Sequence, residues 1–210
     1  MTNDEKIFDI TPRLTKNLAV WPGDTALSRE VLCDLSGGDN ITLSTLHATV
    51  HLGAHADGPK SLRQRRAGNR RARSRVLRRI LSGGSSEHCP GDADHAGDVA
   101  RRDHRAARFI RTGTFSNPEN WNGDFAALEV ELVDFLHERG VMTVGIDTPS
   151  VDLFESKDLP AHKAILRHDM SILEGLVLKD VPEGIYELIA LPLRLVGFDA
   201  SPVRAILRSI

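Results

Sequence analysis

Apolar and polar positions alternate over several short runs, and a period of two marks half-buried strands. Ile7-Phe8-Asp9-Ile10 reads as a short strand. Ala19-Val20-Trp21 reads as a strand end closed by the turn Pro22-Gly23-Asp24, and 29–35 alternates again. Residues 41–50 are β-branched and apolar with interleaved Ser and Thr, which also predicts a strand. Further strands are expected at 108–111, 141–146, 173–178, 187–195 and 202–207. Helical spacing is clear only at 124–139, through Leu128, Leu132, Phe135 and Leu136. Gly140 follows it at the C′ position. This helix runs straight into the buried strand 141–146, and strands dominate elsewhere. The expected fold class is α/β, a mixed β-sheet core with flanking helices.

One stretch obeys neither period. Residues 60–111 hold Lys60 and fourteen arginines against five acids, in a chain whose formal net charge is −2. Arg63, Arg65, Arg66, Arg70, Arg71, Arg73, Arg75, Arg78 and Arg79 point in every direction on either template. Ser82-Gly83-Gly84-Ser85-Ser86 has linker composition. A nucleic-acid-binding insert is one reading. Interleaved aromatics are lacking, however, and no recognised module fits, so nucleic acid is not the expected partner. The preferred reading is a shifted reading frame over roughly 60–107, because GC-rich DNA read out of frame yields Arg, Gly, Ala and Ser. Gly91-Asp92-Ala93-Asp94-His95 can be encoded so that a one-base shift reads Ala-Thr-Leu-Ile. Genuine divergence of the segment is the alternative.

Composition narrows the class without naming the chemistry. The 210 residues suffice for one large domain, and 1–210 is read as one. The two cysteines, Cys33 and Cys89, form no disulfide framework. No apolar run reaches transmembrane length and no secretory signal is evident, so a cytoplasmic protein without a membrane partner is expected.

The candidate chemistry lies in His51-Leu52-Gly53-Ala54-His55-Ala56-Asp57-Gly58-Pro59. Two imidazoles and a carboxylate fall within seven residues. Gly53, Gly58 and Pro59 disfavour a helix, which places the trio where a strand runs into a loop. Neutral imidazole and carboxylate suit zinc or a similar divalent ion, and three such ligands leave a position open for water. In the second half, His162 and Glu174 stand twelve apart, with Glu174 near the start of the strand expected at 173–178. A carboxylate between apolar neighbours must be paired or metal-bound to offset its desolvation. His162 alone reads equally as a surface loop residue. His168 reads as a helix-surface residue outside the site. Trp21 is either an anchor at the edge of the core or an aromatic wall for a flat substrate.

His51-x-x-x-His55-x-Asp57-x-Pro59 with Trp21-Pro22-Gly23-Asp24 upstream resembles the cyclase-like metal hydrolases. Four further blocks narrow the likeness: 145–150 with 155–157, 172–176, 186–193 and 199–205. Together they resemble the bacterial kynurenine formamidases, or arylformamidases, over 1–59 and 108–210. The resemblance implies a cyclase-family architecture of swivelling β/β/α type and a homodimer. It implies two zinc ions per subunit, held by His51, His55, Asp57, His162 and Glu174, with Asp57 and Glu174 bridging. Trp21 would line the substrate pocket. The implied reaction hydrolyses N-formyl-L-kynurenine to formate and L-kynurenine in tryptophan breakdown. The sequence departs from the pattern at one point. The family carries a proton-transferring histidine two residues after the proline, and here that position is Ser61. The catalytic group of this chain is therefore unassigned. Other readings are an amide or lactone hydrolase of the same superfamily, or a non-catalytic binding protein.

Overall fold

The structure, a computed structural model, describes residues 5–58, 80–82 and 106–210. Ser61 and nearly all of the arginine-rich stretch lie outside the described residues. Ten strands and two α-helices follow one another in the described chain. The strands are β1 (Ile7–Asp9), β2 (Ser28–Cys33), β3 (Leu43–His47), β4 (His55–Asp57), β5 (Ile80–Ser82), β6 (Ala106–Arg111), β7 (Val141–Ile146), β8 (Ser171–Glu174), β9 (Tyr186–Pro192) and β10 (Ala200–Ser209). The helices are α1 (Val130–Glu138), before β7, and α2 (Pro160–Arg167), before β8.

Eight strands form one mixed sheet in the order β1-β10-β4-β8-β7-β6-β5, with β9 also on β10. Strands β5 to β8 run parallel, and the rest join antiparallel. β2 and β3 make a separate hairpin. This is the α/β class expected from the sequence.

Strand alternation splits the apolar residues between two cores. Ile110, Val144, Ile146 and Ile172 face α1 and α2, where they meet Val133, Leu136, Ala161, Ala164 and Ile165. Their neighbours Phe109 and Leu173 turn the other way, onto Ile10, Leu176, Leu178, Val203 and Leu207.

Several predicted bounds shift for local reasons. The helix begins at Val130 because the backbone N–H of Leu128 donates to Val151 O at 2.8 Å, which holds the preceding segment extended. The strand expected at 173–178 ends at Glu174, because Gly175 turns into the left-handed region with φ +65°. Residues 19–21 form no strand, and His55–Asp57 do form one, so only His51 of the trio is in a turn. No range is predicted for helix α2, although His168, its C-cap, reads as a helix-surface residue. The signal for this helix was Pro160 at the first helical position.

Gly175 is where the fold fixes the site. A Cβ there would clash with Gly53 O, so the chain after Glu174 passes hard against the loop before His55. Gly175→Ala is expected to cost about 2–3 kcal/mol, from the positive φ and the backbone clash together. Urea unfolding of the two proteins measures it.

Candidate metal centre

The pairing of β4 with its two neighbours builds the site. His55 lies opposite Glu174 on β8, and Asp57 lies opposite Ala200 on β10. His51 comes from the turn before β4, and His162 from the first turn of α2. The five residues meet as two overlapping groups of possible ligands, His51-His55-Asp57 and Asp57-His162-Glu174. Asp57 belongs to both. Its Oδ1 lies 3.3 Å from His51 Nδ1 and 3.6 Å from His55 Nε2. Its Oδ2 lies 3.4 Å from His162 Nε2. Glu174 closes the ring, with Oε2 at 3.1 Å from His55 Nε2 and Oε1 at 3.5 Å from His162 Nε2.

A second layer of acceptors turns each imidazole toward the centre. Nδ1 of His55 donates to Gly53 O at 2.8 Å, so its Nε2 faces inward. Nδ1 of His162 donates to Asp152 Oδ2 at 2.6 Å. Asp152 also accepts from the backbone N–H groups of Ala161 and His162, at 2.8 and 3.0 Å. One buried carboxylate therefore caps the start of α2 and sets the ring of its third residue, His162. Nε2 of His51 meets Asp199 Oδ2 at 2.9 Å. Glu174 is held in turn by Val151 N–H, 2.7 Å from its Oε1.

The electrostatics show what this cluster lacks. The Asp57 carboxylate beside it lifts His51 to about 9, against burial and with help from Asp199. Burial disfavours a charged His162, yet its hydrogen bonds to Asp152 and Asp57 carry it up to about 10. Asp57 is driven the other way: burial opposes its charge, but His162 and His51 hold it well below the usual carboxylate range. Converging carboxylates thus demand positive charge at the centre. His55 Nε2 and Asp57 Oδ1 are buried without a hydrogen-bond partner. Glu174 Oε2 is near His55 Nε2, but not in line to accept from it. Two orphaned buried polar atoms aimed at one point, within an N/O donor set, fit divalent cations.

A cavity of about 490 Å³ opens onto the cluster, lined by His51, His55, Asp57, His162 and Glu174 on one side. Trp21, Phe115 and Trp121 line another part of it. Trp21 is 37% exposed and packs edge-on against Trp121 at 5.3 Å between centroids. Phe154 lies 5.0 Å from Trp21, behind the cavity wall. Trp21 is thus both an anchor in an aromatic cluster and part of the wall.

Sequence reasoning named the five converging residues and Trp21, but missed Asp152, Trp121 and Phe115. Asp152 reaches His162 only because α2 forms, so its spacing carries no local signal. Asp199 was inside a block noted for its resemblance, without a role. His168 stays away from the centre: its Nε2 lies 2.6 Å from Asp134 Oδ1 of α1, and its ring stacks on His137.

A curled mixed sheet with helices on one face and a His/Asp/Glu cluster at its strand ends defines a class, and the comparisons name it. The cyclase family model matches residues 8–153, and this chain belongs to that family. The kynurenine formamidase of Maricaulis maris (strain MCS10) is 38% identical over 213 residues, spanning 98% of this chain and 99% of the relative. In fold the chain is similar to a structure described as a predicted metal-dependent hydrolase from Bacillus stearothermophilus. The TM-score is 0.76 at 23% identity, over 98% of this chain and 99% of that one. An isatin hydrolase bound to the product analogue thioisatinate gives a TM-score of 0.74 at 17% identity, over 99% of this chain and 93% of that one.

Proposed function

We propose that this chain is a metal-dependent hydrolase of aryl formamides, with N-formyl-L-kynurenine as substrate and formate and L-kynurenine as products. The orphaned pair of His55 Nε2 and Asp57 Oδ1, set in a five-ligand cluster at an aromatic-walled cavity, carries the reading. The full-length likeness to a kynurenine formamidase supports the choice of substrate.

His51, His55 and Asp57 would hold one zinc ion, and Asp57, His162 and Glu174 a second. Such ions, when bound, acidify water and polarise a carbonyl oxygen. The protein does the rest. Gly53 O, Asp152 and Asp199 fix the three imidazoles in the tautomer that offers a lone pair inward. Trp21 and Trp121 offer flat faces for the anilide ring, leaving its formyl group toward the cluster. The anilide nitrogen leaves well only when protonated, and Ser61 is a poor proton donor at neutral pH. We read the chain as one domain acting in the cytoplasm as a homodimer. Among the described residues no helix is long and apolar enough to cross a membrane. Exposed Val31, Leu32, Leu43 and Leu46 on the β2–β3 hairpin support contact with a second copy.

The direct test incubates the zinc-loaded chain with N-formyl-L-kynurenine and follows kynurenine absorbance, with and without a chelator. Slow, chelator-sensitive release of kynurenine supports the reading. Turnover of other amides or lactones, with none of this substrate, would replace it.

The second layer makes its own prediction. Asp152→Asn is expected to weaken zinc binding about 10–100-fold while leaving helix content intact, because the amide still caps α2 but orients His162 poorly. Competition with a chromophoric chelator, beside circular dichroism, reads both.

A further inference from the structure

Arg111 ends β6 and lines the cavity that holds the metal cluster. Its Nη1 faces three backbone carbonyls of one loop, Val181 O at 3.1 Å, Lys179 O at 3.4 Å and Leu178 O at 3.5 Å. These contacts anchor a single nitrogen. Nε and Nη2 have no hydrogen-bond partner among the described residues. Asp147, just past the Ile110–Ile146 pair on β7, is already satisfied: it accepts from Thr112 N–H and Oγ1 and from Gly113 N–H, at 2.7–2.9 Å. Arg111 is thus a half-buried guanidinium, fixed in place, with its charge unmatched by any carboxylate in the described residues. Such a group favours an anion, and its planar fork suits a carboxylate. The loop that clamps it starts from Glu174: Lys179 is five residues on, so the clamp lies within roughly 17 Å of the cluster even at full extension.

We propose that Arg111 binds the α-carboxylate of an amino-acid substrate whose aromatic formamide end lies at the metal cluster. This rests on the arylformamide reading and sharpens it, since it selects aryl formamides that carry an amino-acid side arm. Lys179 also lines the cavity but is exposed, so its ammonium keeps its water.

Binding tests this without relying on turnover. Quenching of tryptophan fluorescence gives Kd for L-kynurenine and for kynuramine, its decarboxylated counterpart, in the zinc-loaded protein. The wild type is expected to prefer kynurenine. Arg111→Gln should raise the Kd of kynurenine roughly 10–100-fold, the worth of a hydrogen bond to a charged group, and leave kynuramine within about twofold. Arg111→Lys should fall between, and Lys179→Gln should change little. Equal weakening of both ligands by Arg111→Gln overturns the proposal, as does loss of selectivity in Lys179→Gln alone. A wild type that binds both ligands equally overturns it too. A wild type that binds neither overturns the kynurenine reading itself, and so separates the two failures.

Discussion

Asp57→Asn is expected to abolish binding at both proposed zinc sites at once. Asp57 is the one residue shared by the two ligand groups, with Oδ1 against His51 and His55 and Oδ2 against His162. An amide keeps the shape but removes the charge that draws a cation, and it turns one acceptor into a donor facing imidazole nitrogens. Loss of an outer-layer partner costs about 10–100-fold in metal affinity, and loss of a direct ligand to two ions exceeds that. The expected fall is more than about 100-fold at both sites together. His51→Ala is the contrast. His51 belongs to one group and its side chain is 32% exposed, so its removal should release one ion and leave the other. Calorimetric zinc titration of the two variants separates one lost site from two.

The second large effect concerns Ser61. On the proposed mechanism the chain as written should hydrolyse N-formyl-L-kynurenine slowly: the residues proposed to hold the metal are present, and Ser61 is a poor proton donor to the leaving nitrogen. Loss of a general acid typically costs roughly 10²–10⁴-fold. Ser61→His should recover only part of that, since the residues that would aim the imidazole lie in the same arginine-rich stretch. Replacing 60–107 with the sequence read in the proposed alternative frame should raise turnover to the order of 1–10³ s⁻¹, the ordinary enzyme range. Steady-state rates of the three proteins decide it. Full activity in the unmodified chain would mean that another group carries the proton, with His88, His95 and His104 the next residues to replace.

The parts of the molecule legible in the sequence are those whose signals are local. Alternation gave most strands, and Gly140 gave the end of α1, where it adopts φ +79°. His51, His55 and Asp57 stood out because they are neighbours in sequence. Glu174 stood out as a carboxylate among apolar residues, and it proves 3% exposed. What escaped depends on distance in the chain. The start of α1 is set by a hydrogen bond from Leu128 to Val151, and the role of Asp152 by the docking of α2. Trp121 and Phe115 meet Trp21 at the cavity only in the folded chain. Such partners leave no trace in spacing or period.

In the proposed centre, five side chains around the shared Asp57 carboxylate hold two divalent ions. The most direct measurement is the metal content of the purified chain after zinc loading and desalting, by mass spectrometry of the elements. About two zinc ions per chain are expected, and essentially none in Asp57→Asn. A chain that retains no divalent ion, or an Asp57→Asn variant that retains as much as the wild type, would contradict it.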